Sequence, residues 1–133
     1  MKRFILAVLL LLSATVTVKA QEKEQHLLTS KVFSDSLKTQ TNAVLIDVRT
    51  PEEYKENHIF KAINLNVKDT AFVKQASALD KSKSYYLYCR SGKRSALAAD
   101  ELRKLGFVHI YELDGGITQW IADALPIQST VKD

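Results

Sequence analysis

The chain has 133 residues, 46% hydrophobic and 26% charged, which suits one small domain around one core. Its single cysteine excludes an internal disulfide framework, so stability has to come from packing. The net charge of +4 does not argue for a nucleic-acid partner, because part of it belongs to the first twenty residues.

Those residues read as an export signal. Lys2 and Arg3 precede an unbroken apolar run from Phe4 to Leu12, too short to span a bilayer, and Val18-Lys19-Ala20 offers small residues to a signal peptidase. Cleavage after Ala20 removes three of the 19 basic residues and none of the acidic ones, leaving 16 against 15, or +1. The expectation is therefore a signal peptide over 1–20 and an exported protein, periplasmic or secreted, with no stable membrane insertion after cleavage. A retained N-terminal anchor is the rival reading. Residues 21–28 are expected to form a flexible lead-in and 29–128 the domain.

Thr29 and Ser30 offer caps for a short helix over Lys31 to Lys38, where Val32, Phe33 and Leu37 are helically spaced. Ala43 to Val48 is apolar and rich in β-branched residues, as in a strand buried on both faces of a parallel sheet. Thr50-Pro51-Glu52-Glu53 follows with a capping hydroxyl, a proline in the first turn and carboxylates near the positive end of the helix dipole. The alternation repeats in Ala62 to Leu65 with Asp69 to Leu79, and in Tyr85 to Cys89 with Ser95 to Leu105. It repeats once more in His109 to Leu113 with Ile117 to Ala124. Four strand-then-helix units predict an α/β fold, an open and mostly parallel sheet with helices on both faces. Ligands of such sheets bind beyond the carboxyl ends of the strands, where Cys89 lies.

Cys89-Arg90-Ser91-Gly92-Lys93-Arg94 joins a buried strand to a helix that opens at Arg94-Ser95-Ala96. A tight loop running into a helix N-terminus turns successive N–H groups inward and forms an anion cradle, and Gly92 permits the curl. A thiol held there feels those amides and the charges of Arg90, Lys93 and Arg94, all of which favour the nucleophilic thiolate. A lone cysteine is also commonly a small buried hydrophobe, but none of these flanking features is needed for packing.

At this point the residues resemble the single-domain rhodaneses, a family of thiosulfate sulfurtransferases. Asp47-Val48-Arg49-Thr50-Pro51-Glu52-Glu53-Tyr54 is similar to the family's first signature, and His58-Ile59 with Ala62-Ile63-Asn64 to its second. Cys89 to Ser95 resembles its active-site loop, and Leu113-Asp114-Gly115-Gly116, Trp120 and Leu125-Pro126 its C-terminal signature. The exported bacterial rhodaneses of the phage-shock type are most similar in length and in carrying a signal. The resemblance implies that Cys89 takes the sulfane sulfur of thiosulfate or a related anion and holds it as a persulfide. A thiophilic acceptor, cyanide or a thiol, then removes it. Arg90, Ser91, Gly92, Lys93, Arg94 and Ser95 would bind the donor, and neither a metal nor an organic cofactor is implied. The partners would be small molecules, and the chain a monomer.

Two alternatives stand beside this one: a non-catalytic rhodanese-like binding module, which typically lacks the cysteine, and a cysteine phosphatase or arsenate reductase of the same fold. The phosphatases carry a longer loop than the four residues enclosed here between Cys89 and Arg94. Asp47 and Arg49 are read as bracing the site, paired with backbone or with Glu52 or Glu53. His58 is read as structural, Gly115 and Gly116 as a turn or helix start, and Trp120 and the tyrosines of 85–88 as packing residues. His26 carries no signal. The family often has glycine where this chain has Asn57 and Lys61. Asn57 is expected to end its helix in the left-handed conformation, and Lys61 leaves the local turn unexplained.

Overall fold

The computed structural model describes residues 26–129. Residues 1–20, read above as an export signal, lie outside the described residues. Five strands, β1 (Leu27–Leu28), β2 (Ala43–Asp47), β3 (Ile63–Asn64), β4 (Ser84–Tyr88) and β5 (Ile110–Leu113), form one sheet in the order β1-β5-β4-β2-β3. Every pairing is parallel. Five helices connect or flank them: α1 (Ser30–Thr39), α2 (Pro51–Glu56), α3 (Phe72–Ser77), α4 (Lys93–Lys104) and α5 (Gly116–Ala122).

The alternation of side chains along β4 divides the core in two. Tyr85, Leu87 and Cys89 point to one face, where Ile46 joins Phe72 and Ala76 of α3 and Ala98, Ala99 and Leu102 of α4. Tyr86 and Tyr88 point to the other, with Leu45, Phe33 of α1, and Ile117 and Trp120 of α5. A strand covered on both faces needs apolar residues at consecutive positions, which is why β2 and β4 read as continuous runs. Helix α2 starts where the sequence places it: Thr50 accepts from the Glu53 amide, Glu53 returns the bond to the Thr50 amide, and Pro51 fills the first turn.

The structure corrects three local expectations and accounts for the turn at Lys61. Leu27 and Leu28 do not belong to a free lead-in. They pair with Glu112 and Leu113 as an edge strand, and the His26 imidazole hydrogen-bonds the Ile110 carbonyl at 2.7 Å. Two residues with one exposed side chain carry no period, so only the partner strand reveals them. Helix α3 begins three residues after Asp69, whose carboxylate instead accepts from the Ala71 amide at 2.9 Å and makes a turn. Asn57 is extended, at φ −159° and ψ 154°, and ends α2 without a left-handed residue. Lys61 takes the left-handed conformation itself, with φ 68°, in the region that glycine favours.

Candidate active site

Cys89 follows the last residue of β4 and is 1% exposed at the base of its loop. The Gly92 amide donates to its Sγ at 3.0 Å. In the thiol form Sγ donates to the Ser95 hydroxyl at 3.6 Å, and that hydroxyl donates to the Gly92 carbonyl at 3.1 Å. Gly92 adopts φ 114° as the residue before α4, a conformation closed to most side chains. It lets the chain curl under the sulfur and aim the first amides of a 12-residue helix at it. Burial pushes the Cys89 thiol up, but the Ser95 hydroxyl, which can turn its proton toward a thiolate, and hydrogen bonds from the Ser95, Gly92 and Ser91 amides outweigh it and hold the thiol below its ordinary range.

Ser91, Gly92 and Ser95 therefore gather at the sulfur as the sequence suggests, whereas the three cations divide. Arg90 and Lys93 are exposed, and among the described residues they form no ion pair. Arg94 is engaged: its two terminal nitrogens reach the two Glu53 oxygens at 2.7 and 2.8 Å. The Glu53 carboxyl is held at about 2, chiefly by Arg94 against the opposing effect of burial, with Thr50 adding further hydrogen bonds. The sequence reading offered Glu53, beside Glu52 and backbone, as a partner for Asp47 and Arg49, and the structure gives it to Arg94.

Arg49 pairs with Asp47 instead. Its Nη2 lies 2.7 Å from Asp47 Oδ2, its Nε reaches both carboxylate oxygens, and its backbone amide also donates to Oδ1. Asp47 is 0% and Arg49 4% exposed, and the same guanidinium donates to the Asn57 carbonyl and lies over the Tyr88 ring. Burial opposes the charge on Arg49, and the Asp47 carboxylate more than restores it. With neither group open to solvent, this pair shapes the turn after β2. Asn64, unassigned by sequence reasoning, ties β3 to the same turn through bonds to the Asp47 and Arg49 carbonyls at 3.0 and 2.9 Å. His58 is structural: its Nδ1 donates to the Tyr54 carbonyl at 2.8 Å, and its ring stacks on that of Tyr54 with centroids 4.0 Å apart.

Gly116 has a part that sequence reasoning missed. At φ 60°, any Cβ on it would collide with the carbonyls of Arg90 and Cys89, the latter at 2.6 Å. The close approach lets the Ile117 and Thr118 amides at the start of α5 donate to those carbonyls at 2.9 and 3.2 Å. The cysteine loop is thus held from behind by α5. Adjacent glycines signal such an approach, but the chain alone does not say to what. A cleft of about 460 Å³ runs beside the loop, lined by Ser91, Gly92, Ala96, Arg103, Glu112 and Asp114 among others, and Cys89 is not part of its wall. Among the described residues no three His, Cys, Asp or Glu side chains cluster as metal ligands.

A buried cysteine below an inward-facing amide cradle, at the carboxyl end of a central parallel strand, joins the sequence motifs to one geometry. The family profile of the rhodanese-like domain matches residues 29–123. The chain belongs to the rhodanese-like family.

Within that family, a sulfurtransferase of Allochromatium vinosum is 33% identical over 98 residues, covering 74% of this chain and 90% of that one. The thiosulfate sulfurtransferase PspE of Escherichia coli is 33% identical over 70 residues, covering 53% of this chain and 67% of that one. A crystal structure of a Bacillus halodurans protein superposes with a TM-score of 0.72 at 28% identity, covering 84% of this chain and 82% of that one. Several other curated relatives are covered only in part, the chain spanning between 51% and 63% of their length. The rhodanese-like α/β fold expected from sequence is the fold observed.

Proposed function

We propose that this rhodanese-like protein is a sulfurtransferase in which Cys89 carries sulfur as a persulfide. The observation that carries the reading is the Cys89 sulfur itself, buried under an amide at 3.0 Å and held toward the thiolate by the loop around it. The thiolate attacks the outer sulfur of thiosulfate, the S–S bond breaks, and its electron pair leaves with sulfite. The charge stays balanced, since one thiolate and one dianion yield one persulfide anion and one dianion. Cyanide or a thiolate then attacks the terminal sulfur and restores the Cys89 thiolate. The cradle amides suit the persulfide anion as well as the thiolate, because they stabilise charge at the loop centre without reorganising.

Arg90 and Lys93 are the two loop cations left open to attract a dianionic donor, and Arg94 contributes from within its ion pair. The relatives named as sulfurtransferases support this reading. Export and cleavage after Ala20 complete the proposal, and N-terminal sequencing of the protein recovered from its native compartment tests them. For the chemistry, Cys89→Ser is expected to abolish thiocyanate formation from thiosulfate and cyanide, with an unchanged circular dichroism spectrum. Undiminished turnover in that variant would contradict the proposal.

A further inference from the structure

Arg94 closes the cysteine loop and lies in the first turn of α4, yet both of its terminal nitrogens are occupied by a residue 41 positions earlier. Glu53 belongs to α2 and is already committed there. Its Oε2 accepts from the Thr50 amide and the Thr50 hydroxyl, each at 3.0 Å, while Thr50 Oγ1 accepts from the Glu53 amide at 3.3 Å. One carboxylate therefore joins the cap of α2 to the start of α4. The Arg94 and Glu53 side chains are only 18% and 27% exposed, so the bidentate fork is partly withdrawn from water and fixes orientation as well as distance.

We propose that Glu53 is a positioning residue for Cys89: by clamping Arg94 it holds the first turn of α4 where the Gly92 and Ser95 amides meet the sulfur. The proposal rests on Cys89 being the reactive nucleophile, but its test uses no sulfur substrate. Arg94 also acts on the Cys89 sulfur through its charge. Losing the clamp frees the turn and lets the Arg94 charge swing away from the sulfur, and both disfavour the thiolate, against the smaller opposing effect of removing the Glu53 carboxylate. The other charged groups facing this assembly are Arg49 and Asp47 at the end of β2 and Arg90 and Lys93 in the loop. All four stay unchanged in the variants below.

The measurement is the pH dependence of Cys89 alkylation by iodoacetamide in the full protein and in Glu53→Gln, Arg94→Gln and the double variant. Glutamine retains a carbonyl oxygen that can accept from the Thr50 amide, so Glu53→Gln weakens the clamp more than the cap. Its alkylation midpoint is expected to rise by about one pH unit, lowering the rate near neutrality about tenfold. Arg94→Gln is expected to do the same. The double variant should match Arg94→Gln alone, because Glu53 acts through Arg94. Glu53→Asp, which keeps the charge with a shorter reach, should restore part of the profile.

An unchanged or lowered midpoint in Glu53→Gln overturns the proposal, as does a double variant that shifts by the sum of the two singles. If Glu53→Gln does not fold, Arg94→Lys decides instead. It keeps a charge but loses the fork, so an upward shift supports the clamp and a wild-type profile overturns it. Alkylation reports on the thiol whether or not thiosulfate loads it, so failure here and failure of the sulfur-transfer reading are separately visible.

Discussion

Lys61 shows how one residue trades local strain for a turn. A side chain at φ 68° costs about 1–2 kcal/mol relative to right-handed backbone, and glycine escapes that cost while losing about 0.5–1 kcal/mol to its freedom in the unfolded chain. Lys61→Gly is therefore expected to stabilise the protein by up to about 1 kcal/mol, seen as a rise of a few degrees in melting temperature. A lower melting temperature would show that the Lys61 ammonium over the Phe60 ring outweighs the backbone strain. At the same scale, the three loop cations were readable as a group, but their division was not. Nothing in the order Arg90, Lys93, Arg94 says that the last is neutralised by a carboxylate from another helix. Asp47 and Arg49 were readable as a brace for the reason that they stand at a strand's end. Their mutual pairing depends on a turn that returns the guanidinium onto its near neighbour.

Helices α2 and α4 meet through Glu53, and this makes their contact sensitive to acid. The Glu53 carboxyl falls from an ordinary 4.5 to about 2 on folding. A carboxyl depressed in the folded state contributes stability that is fully present above its unfolded value and is lost as pH falls through the folded one. The window thus runs from about pH 4.5 down to about 2. Urea unfolding of the wild type and Glu53→Gln is expected to show a gap at pH 7 that narrows at pH 3. A gap of constant size would show that the carboxylate is not the source. The strand-then-helix order of β2-α2 and β4-α4 was readable because buried strands leave continuous apolar runs and α2 carries a complete set of start signals. The edge strands were harder. β3 reduces to Ile63–Asn64, and β1 was taken for a lead-in, since two-residue strands draw their existence from a neighbour's backbone and not from their own side chains.

Across the described residues the sheet separates two cores that share the central strands β2, β4 and β5. Leu87 on one face and Ile117 on the other are 0% and 3% exposed, and each packs in a different cluster. Truncating either to alanine is expected to cost about 2–5 kcal/mol. Because both clusters are built on β4, circular dichroism and tryptophan fluorescence should follow one shared unfolding transition in both variants. Separate transitions would mean that the two faces fold independently. The same arrangement explains why the sulfur site stands at the carboxyl edge of the sheet: β4 delivers Cys89, α4 supplies the amides, α5 supports the loop through Gly116, and α2 holds Arg94. Four elements converge on one atom, and only the strand and the helix next to it in sequence announce themselves beforehand.

If Cys89 holds a transferable sulfur, intact mass reads it directly. After incubation with thiosulfate the protein should gain about 32 Da, the mass of one sulfur atom, and lose it again on addition of cyanide, while Cys89→Ser gains nothing. A wild-type protein whose mass does not change, or a Cys89→Ser protein that takes up the same increment, would contradict the account.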